Sequence, residues 1–177
     1  MISSFVTVAV VTAGAVVGPA SPAAASSALE RCRAGERPQY SDTSWWQAPG
    51  NQHTPWAAPA GIVDGDVFRV SAFGTVRIDF WGTNKSVNGE LPGAPANWPA
   101  AGEPRYMLVA NISAGTLWRD WTGRTYGGGR WMPVGFDSGC FQYWSAGDPH
   151  PLLRFSYNDD NLGDNGGGAW IVVKQWW

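Results

Sequence analysis

Histidine and cysteine are scarce in this chain, two of each among 177 residues. That is too few for a Cys/His zinc cluster, and it leaves His53 and His150 as the sole imidazole bases. His53 falls in an irregular stretch and His150 sits between Pro149 and Pro151, so both read as surface residues. A nucleophile elbow is missing too, because Gly135-Phe136-Asp137-Ser138-Gly139 misplaces its serine. Glu90, Glu103, Asp120 and Asp137 lie in or near expected loops, but a glycosidase pair is defined by a separation that sequence does not carry. No catalytic residue is assigned, and the chain is read as a non-enzyme. Charge is sparse as well, 15% of residues with a formal net of −2 and scattered signs. Without a basic patch, nucleic acid and anionic membrane are not expected partners. No long amphipathic helix is present.

Long apolar runs are also few. The one in residues 1–25 is uncharged, interrupted by Gly14, Gly18 and Pro19, and too short to span a bilayer. It ends Pro22-Ala23-Ala24-Ala25, with small residues placed for cleavage before Ser26. That pattern is a secretory signal peptide, although no Lys or Arg precedes it. Secretion and an extracellular location are therefore expected. In an oxidising compartment Cys32 and Cys140 are expected to pair, the alternative being two buried thiols. The rest suits an irregular N-terminal arm, 26–58, with a short strand near Trp45-Trp46, and one domain, 59–177.

What the domain does have is β pattern. Phe68, Val70 and Ala72 alternate, as do Val76, Ile78 and Phe80. Further apolar runs lie at 106–112, 140–144, 152–157 and 169–174. Gly and Pro punctuate them, so an all-β, antiparallel sandwich is expected. Two long connections, 82–104 and 116–132, interrupt it, and loops of that length are often functional.

Between the last two runs lies Asn158-Asp159-Asp160-Asn161-Leu162-Gly163-Asp164-Asn165, followed by Gly166-Gly167-Gly168. Hard cations take six to eight oxygen ligands, and Asp159, Asp164 and Asn165 offer side-chain oxygens while the glycines free nearby carbonyls. The spacing is not that of an EF-hand. An ordinary turn uses the same residue types, so the loop is open between a calcium site and a turn.

Tryptophan is abundant, at twelve residues. An exposed indole can stack on the apolar face of a pyranose. Trp144 and Trp170, inside strands, are expected to fill the core. Trp98, Trp118, Trp121 and Trp131, expected in loops, are open between packing and ligand contact. The Trp176-Trp177 tail is unassigned.

The succession Gly65-Asp66-Val67, Val70-Ser71-Ala72-Phe73-Gly74, Tyr106-Met107-Leu108-Val109, Pro133-Val134-Gly135 and Leu153 through Asp159, with Asp164-Asn165-Gly166 after it, resembles the PA-I galactophilic lectin family over about 59–175. The resemblance implies a small jelly-roll-like, galactose-binding-domain-like sandwich with a Ca²⁺ cofactor. Calcium would be held by Asp159, Asp164 and Asn165, a carbonyl of Asn161 or Leu162, and a carbonyl near Ile78. A carbohydrate partner, galactose-like or another glycan, would complete the calcium shell with two hydroxyls and touch Asp159, Asn165, Asn97 and Trp98. The chain departs from the family in its shorter acidic loop and in its Trp118–Trp131 insertion. Asn97-Trp98-Pro99-Ala100-Ala101 also stands where the family places a His-Pro segment and a Gln, so galactose preference does not transfer. The competing expectation is a secreted sandwich with a purely structural Ca²⁺ and a Trp-rich face for a polysaccharide or protein. Either is compatible with an oligomer.

Overall fold

Alternation along Val67–Phe73 predicts one apolar face, and in the computed structural model Phe68, Val70 and Ala72 are buried while Phe73 is exposed. The structure describes residues 26–42, 45–148 and 150–177. The expected leader, 1–25, lies outside these described residues.

A six-residue helix, α1 (Ala28–Arg33), precedes fifteen strands. They are β1 (Tyr40–Ser41), β2 (Trp46–Pro49), β3 (Thr54–Trp56), β4 (Val67–Phe73), β5 (Thr75–Arg77), β6 (Asn84–Ser86), β7 (Glu90–Gly93) and β8 (Pro104–Arg105). Then come β9 (Leu108–Ile112), β10 (Thr116–Arg119), β11 (Arg124–Gly127), β12 (Met132–Pro133), β13 (Phe141–Trp144), β14 (Leu153–Tyr157) and β15 (Gly166–Trp176). Nine of them form one sheet, ordered β11-β10-β13-β4-β15-β5-β6 with β1 and β2 also paired to β15. Four form a second, β12-β9-β14-β3. Every ladder is antiparallel, and Phe68, Val70 and Ile171 of the first sheet share a core with Ile112, Leu153 and Phe155 of the second. The chain is an all-β antiparallel sandwich.

Tyr157 ties the layers together. From β14 its hydroxyl donates to the Ala48 carbonyl at 2.8 Å and accepts the Ala169 N–H, and burial pushes the phenol pKa up to about 12. On the outer face of the large sheet, α1 is capped by a reciprocal Ser27–Glu30 box. The Cys32–Cys140 disulfide fastens the helix over Val67 and Trp176. The penultimate tryptophan is thus core, while Trp177 is exposed and its carbonyl oxygen accepts from Arg31 at 2.6 Å.

Several expectations change. Residues 26–58 are not an irregular arm, since β1 and β2 pair with β15 and β3 pairs with β14. These strands are two to four residues long, and β2 and β3 contain proline, so no alternation announces them; a longer partner supplies their order. The glycine run is not loop either but the start of β15, where Gly168 (φ +154) would place a Cβ 2.2 Å from the Ala48 carbonyl. Only a residue without a side chain lets β2 come so close. Residues 116–132 are mostly a hairpin, β10–β11, that widens the large sheet. Trp118 therefore sits in a strand, stacked on Trp144 at 6.1 Å. Neither Trp144 nor Trp170 is core: both point outward, 43% and 41% exposed.

Candidate functional site

The acidic loop leaves β14 at Asn158, passes through a single 3-10 turn, Leu162–Asp164, and enters β15. Its turn chemistry is local. Asp159 Oδ1 accepts the Asn161 N–H at 3.1 Å, Asn161 Oδ1 accepts the Gly163 N–H at 3.3 Å, and the Leu162 carbonyl accepts the Asn165 N–H at 3.2 Å. The Asn161 side chain is thereby occupied as a turn former, and its carbonyl, the expected donor, is not part of these bonds.

The remaining oxygens are different. Asp159 Oδ2, Asp164 Oδ1 and Asn165 Oδ1 are all inaccessible to solvent, and none has a hydrogen-bond partner among the described residues. Asn165 is held in place from its other end, with Nδ2 donating to the Gly50 carbonyl at 3.3 Å. Gly50 packs so tightly that a Cβ would lie 2.7 Å from the Gly166 carbonyl. A buried acceptor left unpaired costs about 1–3 kcal/mol, and three come from seven consecutive residues. Burial pushes the Asp159 carboxyl above its usual range, and the neighbouring Asp160 and Asp164 charges add to that shift against hydrogen bonds from Asn161 and Asn165. Among the described residues no three His, Cys, Asp or Glu side chains gather around a metal-sized space. The available donors are two carboxylates, an amide and nearby carbonyls, an all-oxygen set that suits a hard dication rather than zinc. Ile78 is also well placed: β5 pairs Arg77 with Gly166, so Ile78 comes level with Asn165 one step beyond the ladder.

Beside the loop opens a cleft of about 490 Å³ bordered by His53, Asn97, Pro99, Trp131, Asp159, Asp160 and Leu162. Trp98 is not on it. Its indole turns away, packs edge-on against Tyr106 at 5.4 Å and borders a neighbouring cavity. The aromatic wall of the cleft is Trp131 instead, its ring tilted against that of His53 at 5.1 Å between centroids. His53 is a surface residue, as expected, but it is anchored: its Nδ1 lies 2.8 Å from Ser156 Oγ on β14. Sequence reasoning passed over it because β2 and β3, the short strands of different sheets on either side of it, are cryptic.

The four carboxylates considered for acid–base chemistry are each tied to a cation: Glu90 to Lys85, Glu103 to Arg124, Asp120 to Arg33 and Asp137 to Arg69. A hydrogen bond from Arg33 holds Asp120 below the usual range. Burial works against ionisation of Asp137, but Arg69 and the Gly139 N–H hold it low as well.

The fold and site thus define a disulfide-fastened antiparallel β-sandwich with an oxygen-rich loop beside an aromatic cleft. No protein-family model matches the sequence, and no curated protein matches it. Among solved structures the chain is similar to one described as "EclA N-terminal domain; PllA-like lectin", with 16% identity and a TM-score of 0.41, over 75% of this chain and 95% of that one.

Proposed function

We propose that this chain is a secreted calcium-dependent carbohydrate-binding protein, with the ion held by Asp159, Asp164 and Asn165 and the sugar seated in the adjoining cleft. The observation that carries the reading is the set of three buried, unpartnered side-chain oxygens on the three residues of the expected ligand set. The carbonyl of Asn161 or Leu162 and that of Ile78 are the further donors within reach of the loop's topology. Bound calcium would supply coordination positions that two vicinal hydroxyls can fill. The chain's own residues do the rest. Trp131 offers an apolar face to a pyranose ring, and Asn97 offers an amide. His53, with Nδ1 engaged by Ser156, presents its other ring nitrogen, and Asp160 accepts hydroxyl protons. The disulfide suits an oxidising compartment, and no helix among the described residues is long and apolar enough to cross a membrane.

A second reading has its own observation. Asp164 and Asn165 do not border the cleft, so an ion they hold could brace the loop without meeting ligand. Isothermal titration of chelator-stripped protein with Ca²⁺, then with galactose and a small monosaccharide set, separates the two. Calcium uptake followed by sugar binding, both lost in Asp159→Ala, supports the lectin activity. Calcium uptake with no response to any sugar makes the ion structural. Absence of calcium uptake overturns both and leaves residues 159–165 as a turn.

A further inference from the structure

We infer that the cavity next to the cleft is a second sugar subsite, one that selects an acidic pyranose, a uronate. The inference rests on the carbohydrate-binding reading and extends it from a monosaccharide to an acidic oligosaccharide. Pro99 and Trp131 border both spaces, so the cavity is continuous with the cleft along one wall. Its volume, about 310 Å³, falls within the usual range for small-molecule sites. Trp98 and Trp131 give it two aromatic sides, and the edge-on contact with Tyr106 fixes the first.

Charge decides what such a space would take. Glu103, Arg124 and Arg130 all border it. Glu103 is engaged by Arg124 at 2.9 Å, whereas Arg130 makes no ion pair among the described residues, which leaves the cavity one positive charge in excess. A guanidinium fork matches a carboxylate with two parallel hydrogen bonds, and a neutral hydroxymethyl group cannot use it. The cavity wall also holds Tyr126, 8% exposed, whose hydroxyl turns to the buried Arg119 guanidinium. The cleft itself is lined by Asp159 and Asp160. The two spaces therefore sort a chain by charge: a neutral diol at the acidic loop, the carboxylate of the next ring at the arginines.

The test is titration of the full calcium-loaded chain with galactobiose, digalacturonic acid, galactose and galacturonic acid. Digalacturonic acid should bind tighter than galactobiose by about ten- to a hundredfold, the span of a charge-assisted hydrogen bond, and the two monosaccharides should differ far less. Arg130→Gln combined with Arg124→Gln, both at exposed positions, should abolish the preference without changing galactose affinity or calcium uptake. Equal binding of the two disaccharides overturns the acidic subsite and leaves the lectin reading standing. So does a preference that persists in the arginine variants or is as large for galacturonic acid alone, since the ion would then be reading the carboxylate. Calcium uptake with no binding of any of the four sugars overturns both readings.

Discussion

Asn158 and Ala100 hold each other reciprocally: Asn158 Oδ1 accepts the Ala100 N–H at 2.8 Å, and Asn158 Nδ2 donates to the Ala100 carbonyl at 2.9 Å. The same Nδ2 reaches the Pro104 carbonyl at 2.9 Å. Main-chain bonds to Tyr106 and Met107 complete the joint, at 2.7 and 2.8 Å. Asn158 is fully buried and immediately precedes Asp159, so one side chain rivets the loop carrying Asn97, Trp98 and Pro99 to the acidic loop.

Asn158→Ala should therefore be costly. It strands the Ala100 N–H and takes a donor from the Pro104 and Ala100 carbonyls, the latter keeping the Glu103 N–H at 3.1 Å, at about 1–3 kcal/mol for each group that finds no new partner. A loss of roughly 3 kcal/mol is expected, which in a chain of this size lowers Tm by about 6–12 °C. Asn158→Asp should do comparable damage, because it sets an acceptor against carbonyl oxygens. Thermal denaturation of both variants checks the stability, and calcium titration should show weaker uptake as Asp159 loses its anchor.

The disulfide should matter for the fold more than for the site. Cys32 and Cys140 are 108 residues apart in sequence, and a loop of that length is worth up to about 4–5 kcal/mol in the chain-entropy model. Cys32→Ser with Cys140→Ser should lower Tm markedly and expose Trp176, which is 2% accessible under α1. Intrinsic fluorescence follows that exposure. Calcium affinity of the still-folded fraction should be unchanged, since neither cysteine touches the acidic loop.

Much of this arrangement was legible before the structure. The period-2 pattern of β4 exposed its buried face, and Asp159, Asp164 and Asn165 stood out as candidate oxygen ligands between two apolar runs, where the structure leaves a side-chain oxygen of each buried and unpartnered among the described residues. What stayed hidden was whatever depends on a partner far along the chain. Gln47-Ala48-Pro49 and Thr54-Pro55-Trp56 have no strand signal of their own and are ordered by β15 and β14. His53 stayed hidden with them. Trp98 and Trp131 looked equivalent as loop tryptophans, and the family resemblance alone favoured Trp98 as the sugar contact. Only the Asn158 rivet, which fixes the 94–104 loop, and the β12 pairing, which fixes Met132 beside Ala110, decide which indole faces the cleft.

Asp66 gives the stability a pH dependence of definite sign. The residue is 2% exposed, and burial raises its carboxyl above the ordinary value of 3.8 despite hydrogen bonds from the Val63 N–H at 2.9 Å and Gln175 Nε2 at 2.8 Å. A carboxylate raised on folding favours the folded state while protonated, below the unfolded pKa, and that contribution is lost as pH rises through the folded value. At neutral pH the ionised group therefore costs stability. Asp66→Asn keeps an oxygen for the same two donors without the charge. Its Tm should exceed that of the parent at pH 7, and the difference should close as pH falls below the usual carboxylate range. A pH-independent difference would mean that packing, not ionisation, separates the two.

The two cavities predict opposite roles for two tryptophans of one sequence class. Trp131 walls the cleft beside Asp159, whereas Trp98 lies beyond Pro99 and faces only the neighbouring cavity. Neither side chain is an oxygen donor, so alanine at either position should leave calcium uptake intact. Trp131→Ala removes the stacking face for the first ring, and burying an indole-sized apolar surface is worth about 1.5–3 kcal/mol. Monosaccharide affinity should therefore fall by roughly tenfold to a hundredfold. Trp98→Ala should leave monosaccharide affinity alone and weaken only ligands long enough to reach a second ring. Titrating both variants with one monosaccharide and one disaccharide reads the contrast directly. If Trp98→Ala loses the monosaccharide while Trp131→Ala keeps it, the sugar sits on the far side of Pro99 and the calcium loop is not its anchor.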